Sequence, residues 1–400
     1  MAWSLDREEG TMIRHFFKTY IPSGYAANTP SLRIISLSCF AAVSALALAL
    51  TIGTGRGQEA RPVAAQATGV EEWKVDPMRG PVDLGLTDPS LVGAIDVHVH
   101  LDPDAPGTGG VIRALDVFDA AVIAKARGMR GFVYKTHQDT GSANGAYLAR
   151  KHGTQGVEIF GRMASNYATG GINVAALEHF SQIKGGWGRI YEMPTRDSIT
   201  AVGRPDSMDA KFLAQSRPWM LIMPPGTPTF IAVSKNGELL PEVKHLIAQM
   251  AKMRTVDSNG HVVLATGHAT PEEHLLLARE GRKQGLSVLL THPGDIPQLP
   301  EAASLGAFIE VNASGIYKTE AGQAAAAALI RKIGAEHIIV GTDCGQTNNV
   351  YPTDCLALAA RGLRAHGITQ RELDLMYKAN PAKLLGLPPL EEAILSAQTR

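Results

Sequence analysis

The stretch Ala94-Ile95-Asp96-Val97-His98-Val99-His100 decides how the rest of the chain is read. Alternate side chains of a strand share a face. Asp96, His98 and His100 are therefore expected on one side, with Ile95, Val97 and Val99 on the other against a helix layer. Two imidazoles side by side at a strand's end form a chelating pair for a borderline-soft cation such as zinc. An HxH alone also fits two surface histidines that happen to alternate, so the reading depends on what lies farther along.

Seven more short apolar runs follow that first strand, Ala94–His98: Gly131–Lys135, Glu158–Met163, Arg189–Met193, His261–Thr266, Ser287–Thr291, Ala307–Val311 and His337–Thr342. Stretches of helical periodicity lie between them, at Ala114–Arg127, Ser142–His152, Val174–Ile183, Pro241–Met253, Pro271–Lys283 and Ala321–Ile333. Strands alternating with helices predict an α/β fold with a parallel sheet. Eight strands with intervening helices over residues 94–388 match a (β/α)8 TIM barrel. A doubly wound open sheet is the alternative, but no Gly-rich phosphate-binding turn follows the first strand.

Barrel enzymes keep their reactive groups at the C-terminal ends of strands. His268 ends the fifth run (VVLATGH), His292 the sixth (SVLLTH) and Asp343 the eighth (IIVGTD). An inward parity can be drawn for each, as Leu264/Thr266/His268, Val288/Leu290/His292 and Ile339/Gly341/Asp343. His98, His100, His268, His292 and Asp343 thus form a candidate metal set on one rim. The fourth run offers Glu192 (GRIYEMPT), unless Tyr191, Met193 and Thr195 are its inward set. Lys135 and His137 share a face after the second run. A lysine entering a barrel mouth is costly unless paired or functional, so Lys135 is read as a substrate-carboxylate binder, a proton carrier, a carbamate carrier or a structural salt bridge.

Ordered in this way, the chain resembles the amidohydrolase superfamily of metal-dependent hydrolases, which show HxH after strand one, His after strands five and six, and Asp after strand eight. The closing MYKANPAKLLGL is similar to the helical ending of that superfamily, and YKTHQD, TGHATPEEH and LLTHPGD look like a little-studied bacterial group of uncharacterised function. The resemblance implies one or two divalent ions, zinc foremost, and hydrolysis of an amide, ester or lactone-type bond in a small molecule. It also implies that Asp343 binds metal and takes a proton from the attacking water, that the metal or His292 polarises the substrate, and that His137 passes a proton to the leaving group. Binuclear members carry a bridging carboxylate after strand four, and only Glu192 stands near that place. Decarboxylation or isomerisation on the same scaffold, and an exported binding protein without turnover, are the competing readings.

Residues 1–67 differ from the rest. Leu32–Gly53 is apolar apart from Arg33 and small hydroxyl residues, follows Arg14 and Lys18, and precedes an Ala-Gln-Ala triplet at Ala65–Ala67. That is the order of a secretory signal, or of an anchor retained in the membrane. Either places the body of the protein outside the cytoplasm, in the periplasm or beyond. Lys+Arg and Asp+Glu both number 38, so no basic excess points to nucleic acid. Beyond Cys39 the cysteines are Cys344 and Cys355, as compatible with a disulfide in an oxidising compartment as with two buried thiols. Residues 68–93 read as a pre-barrel segment and 389–400 as a tail. Residues 195–240 form an insertion with an Asn236-Gly237 hairpin signal, expected over the active face as a lid or specificity loop. Selectivity would also involve the Tyr134–Gly145 and Ala164–Asn173 loops, and association into oligomers is compatible with the sequence.

Overall fold

The computed structural model describes residues 82–104, 113–137, 140–202, 223–256 and 260–389. The readings made for residues 1–67, for most of 68–93 and for 390–400 lie outside the described residues. The strands are β1 (Ile95–His100), β2 (Gly131–Thr136), β3 (Glu158–Ala164), β4 (Gly188–Glu192), β5 (Ser234–Lys235), β6 (Glu238–Leu239), β7 (Val263–Ala265), β8 (Val288–Leu290), β9 (Phe308–Asn312) and β10 (Ile338–Gly341). Eight of them form one sheet in the order β1-β2-β3-β4-β7-β8-β9-β10, and every ladder in it is parallel. A bridge between Val99 and Cys344, with His100 N donating to Cys344 O and Asp343 N to His98 O, closes the last strand onto the first. The fold is a TIM barrel.

The principal helices are α1 (Val117–Ala126), α2 (Ser142–His152), α3 (Val174–Ser181), α4 (Ile199–Val202), α5 (Pro241–Met250), α6 (Pro271–Lys283), α7 (Leu299–Ser304), α8 (Ala313–Ile316), α9 (Glu320–Ile333), α10 (Pro352–Ala365), α11 (Gln370–Asp374) and α12 (Asn380–Leu384). Local chemistry sets their ends. Thr270 and Glu273 build a capping box at α6, Pro271 opens it, and Arg282 and Lys283 lie in its last turn. Those features satisfy the free N–H groups and complement the helix dipole, which is why α6 keeps the bounds expected from sequence. Asp116 and Asn173 cap α1 and α3 by accepting from first-turn N–H groups.

Two apolar layers follow from strand parity. Ile95, Val97, Val133, Phe160, Ile190, Val263, Ala265, Leu289, Phe308 and Ile339 fill the barrel, and Ala382, Leu384 and Leu385 after β10 plug its N-terminal end. Val99, Phe132, Tyr134, Ile159, Tyr191, Leu264, Val288, Leu290, Ile338 and Val340 meet the helices. This corrects three parities. Ile95 and Val97 face inward and Asp96 outward, because β1 slips register against β2 between Asp96 and Val99; a bulge re-aims the side chains after it. Leu264 and Val288 face the helices as well, so His268 and His292 reach the rim by turns, Gly267 at φ +64° and His292 at φ +26°, rather than by alternation. Glu192 is an inward residue, while Tyr191 and Met193 pack outward.

The insertion does carry the hairpin: β5 pairs antiparallel with β6 around Asn236 (φ 54°) and Gly237 (φ 78°), the left-handed pair of a type I′ turn. The segment leading into it meets the turn after β3, with Tyr167 Oη donating to Pro228 O, and the turn after β4, with Ile231 N donating to Asp197 O. Residues 203–222 lie outside the described residues. Before the barrel, Asp354 of α10 accepts from Leu84 N and Leu86 N.

Gly161 marks a close approach. A Cβ there would lie 2.6 Å from Ala143 N and 2.8 Å from Ser142 C, both backbone atoms of α2. Neither neighbour can yield without moving the helix. Gly161→Ala is expected to cost about 1–3 kcal/mol, read as a lower urea midpoint; an unchanged midpoint would show that α2 is not seated so tightly on β3.

Candidate metal centre

The seam between β1 and β10 assembles the centre. The bulge turns His98 inward, the strand end delivers His100, and Asp343 follows β10 at φ 51°. Such a φ is uncommon for a side-chain-bearing residue and is tolerated when the surroundings dictate it. Here they do: Asp343 N donates to His98 O, and Asn312 Nδ2 holds Asp343 Oδ2 at 2.9 Å. The other oxygen, Oδ1, lies 2.9 Å from His100 Nε2 and 3.3 Å from His98 Nε2.

One ligand atom from each of these three residues lies within 4.8 Å of the others. Bonds of about 2.1 Å at tetrahedral angles separate ligand atoms by roughly 3.4 Å, so the triplet fits a divalent ion such as zinc. A partner behind the ligand supports that fit. His98 Nδ1 lies 2.5 Å from Glu310 Oε1, the carboxylate–histidine arrangement that turns the Nε2 lone pair towards the site. His100 Nδ1 is buried with no hydrogen-bond partner among the described residues.

The remaining expected residues line up beside the triplet. His137 stacks on His100 with ring centroids 4.7 Å apart, His292 stacks on His98 at 5.7 Å, and His268 lies 5.0 Å from His292. His137 Nδ1 meets Thr195 Oγ1 at 3.2 Å. The structure thus gathers all five candidate metal residues and His137 at one rim, with His268 and His292 outside the tight three-atom cluster. Lys135 Nζ, wholly buried, is 3.0 Å from Glu192 Oε2 and 3.0 Å from His98 Nε2.

Sequence reading did not single out Arg162, Glu310 or Asn312. Arg162 crosses the barrel floor, its guanidinium 2.5 Å from Glu192 Oε1 and 3.4 Å from Glu310 Oε2. Both carboxylates and the arginine are wholly buried. A signal was there: a charge in the interior of each of two strands that are otherwise apolar between their ends, EIFGRMA and FIEVN. Cys344 and Cys355 are joined as a disulfide, tying the residue after Asp343 to the first turn of α10.

The model of a family of unknown function, DUF6282, matches residues 93–310. The chain belongs to that family. The match takes in β1 to the middle of β9, and with them every residue of the centre up to Glu310, while Asn312 and Asp343 fall beyond it. No curated protein is significantly similar. Among solved structures, this DUF6282 chain is similar to an amidohydrolase from Pseudomonas aeruginosa (14% identity, TM-score 0.46, covering 74% of this chain and 96% of that one). It is similar to a Burkholderia multivorans amidohydrolase with bound zinc (12%, TM-score 0.47, 74% and 99%). A third is N-acetyl-D-glucosamine-6-phosphate deacetylase from Mycobacterium smegmatis (14%, TM-score 0.42, 74% and 77%).

Electrostatics prepare the DUF6282 centre. Burial, then the charges of Lys135 and Arg162, hold His98 well below the usual imidazole range. Burial and Arg113 push His100 down to about 4. Both are neutral at pH 7, as metal ligands must be. Burial would raise the Asp343 carboxyl, but His98, His100 and His292 hold it well below the ordinary carboxylate range. Burial lowers Lys135 while Glu192 opposes the shift. Glu192, which burial would raise, is held well down by Arg162 and Lys135.

These shifts set an acid limit for the metal-free protein. His137 and His268 are lowered by burial, and His274, outside the centre, falls to about 3 for the same reason. An unfolded chain binds these protons near pH 6.5, whereas the folded one binds them only at lower pH, about 4 at His100 and about 3 at His274, so stability falls as pH drops below 6.5. Burial raises Asp96 and Asp354 to about 6, which works the other way but on fewer groups. Urea denaturation of the chelator-treated chain should lose about 3 kcal/mol per pH unit between 6 and 4.5, roughly two net protons. A flat profile would show that the histidines are not buried in neutral form.

Proposed function

We propose that this protein is an exported metal-dependent hydrolase that cleaves an amide, ester or lactone-type bond of a small molecule, with zinc as the expected ion. The observation that carries the reading is the His98–His100–Asp343 triplet, backed by the Glu310–His98 bond, at the C-terminal mouth of a closed barrel. His98 and His100 would hold the ion through Nε2 and Asp343 through Oδ1. A divalent ion with an open position polarises a carbonyl and lowers the pKa of water to near 7.

The chain's own groups supply the rest. Asp343 is ionised at neutral pH and held by Asn312, so its carboxylate is placed to take the proton of the attacking water. His137, neutral and anchored by Thr195 Oγ1, is placed to relay the proton taken up by Asp343 to the leaving group, ending neutral as it began. His268 and His292 line the same rim, where they can orient the substrate. Lys135 is held on Glu192 beneath the triplet, and its charge favours electron density developing above it. The neutral overall charge supports a small-molecule substrate over nucleic acid, and residues 32–53 are the expected route to any membrane attachment.

The test is a screen of amide, ester and lactone substrates with Asp343→Asn as the control. That variant should keep its far-UV circular dichroism and lose about 10²–10⁴ in kcat, the usual worth of a positioned acid or base. Undiminished turnover would remove Asp343 from the mechanism. Fractionation of the producing cells should find the protein outside the cytosol, and a cytosolic pool would contradict export.

A further inference from the structure

The buried charges of the barrel mouth determine how many ions it holds. His268 and His292 sit beside the triplet, and a second divalent ion seated by them would need an anionic ligand. The inward carboxylates below them are Glu192 and Glu310. Glu192 Oε1 is taken by Arg162 at 2.5 Å and Thr291 Oγ1 at 3.1 Å, and its Oε2 by Lys135 Nζ at 3.0 Å. Glu310 Oε1 is taken by His98 Nδ1 at 2.5 Å and its Oε2 by Arg162 at 3.4 Å. Each of those oxygens already faces a buried cation or an imidazole, and a bridging metal would have to displace the Lys135 ammonium from Glu192 Oε2, whose one near partner it is among the described residues.

Charge balance points the same way. Three carboxylates, Asp343, Glu192 and Glu310, face two buried cations, Lys135 and Arg162. One divalent ion turns a single negative charge into a single positive one, which solvent or an anionic substrate can offset. A second ion would leave three positive charges within a few ångströms of one another in a largely buried site, and an uncompensated buried charge is strongly unfavourable. Lys135 Nζ also lies between Glu192 Oε2 and His98 Nε2, 3.0 Å from each, where a second ion drawing on Glu192 would have to sit. An ion on His98 Nε2 takes over that lone pair and leaves the ammonium on Glu192.

We propose that the centre binds one divalent ion and that the Lys135 ammonium is its second cation, supplied by the chain in place of a second metal. This rests on the metal-centre reading above.

The experiment is elemental analysis of the full chain after saturation with Zn²⁺ and desalting, beside the electron paramagnetic resonance spectrum of the Mn²⁺-loaded protein. One equivalent of zinc and the signal of isolated Mn²⁺ are expected, with loss of the metal in a His98→Ala/His100→Ala variant. Lys135→Met, which frees Glu192 Oε2, should rise to two equivalents with a spin-coupled Mn²⁺ signal, and Lys135→Arg should stay at one. Two equivalents in the wild-type chain, or one in a folded Lys135→Met variant, would overturn the proposal while leaving a metal centre in place. No metal in the wild-type chain would remove the metal reading and this inference together. The wild-type spectrum decides even if Lys135→Met does not fold.

Discussion

A guanidinium at the axis of the barrel has to be neutralised, and much of the centre follows from how that is done. Arg162 is wholly buried and bonds Val97 O, Thr291 Oγ1, Glu192 and Glu310. A buried charge persists only when paired and hydrogen-bonded. Each carboxylate that satisfies it then has a second oxygen to place. Glu192 spends its own on Lys135, and Glu310 on His98 Nδ1. The tautomer of a candidate metal ligand is thus fixed by the packing of the barrel floor. Thr291 extends the network: its Oγ1 accepts from Gly267 N and its N–H donates to Thr266 Oγ1, which steadies the turns that present His268 and His292.

The aspartate of the Asp-Val-His-Val-His stretch has a different task from the one alternation suggests. Asp96 faces away from the barrel interior, and its carboxylate accepts from His98 N, Thr342 N and Thr342 Oγ1. It clips the bulge of β1 to the end of β10. Burial raises its pKa to about 6, so the clip is ionised at pH 7 and takes up a proton as the pH falls through that value.

The sequence made the architecture legible because parallel strands buried on both faces read as continuous apolar runs, and because capped helices announce their ends. Parity was less legible. The β1 bulge depends on how β1 sits against β2, and the rim turns depend on backbone that closes over Met193 and Pro194 at Gly267; neither is encoded by spacing alone. The candidate ligands could still be named, since residue type and strand-end position survive a slip in parity. Arg162 and Glu310 were harder because a single charge in an apolar strand reads as an edge or an error until its partner is known. Their mutual pairing spans 148 residues of sequence.

Ligand placement and barrel closure are one set of bonds. His100 and Asp343 are 243 residues apart in sequence and 2.9 Å apart in space, a proximity that exists only where the last strand meets the first. An open sheet of the same eight strands would hold them at opposite edges. An ion bound there joins the two ends of the sheet and stabilises the closed form by the free energy of its binding. The disulfide from Cys344 to α10 reinforces the same seam from outside. The roof is built separately: Asn166 binds His137 O, Thr195 and Asp197 N, and Asp197 holds Tyr167 N. Loops joined in this way above a rigid floor can change the substrate a barrel accepts while leaving the seam, and the ion it would hold, as they are.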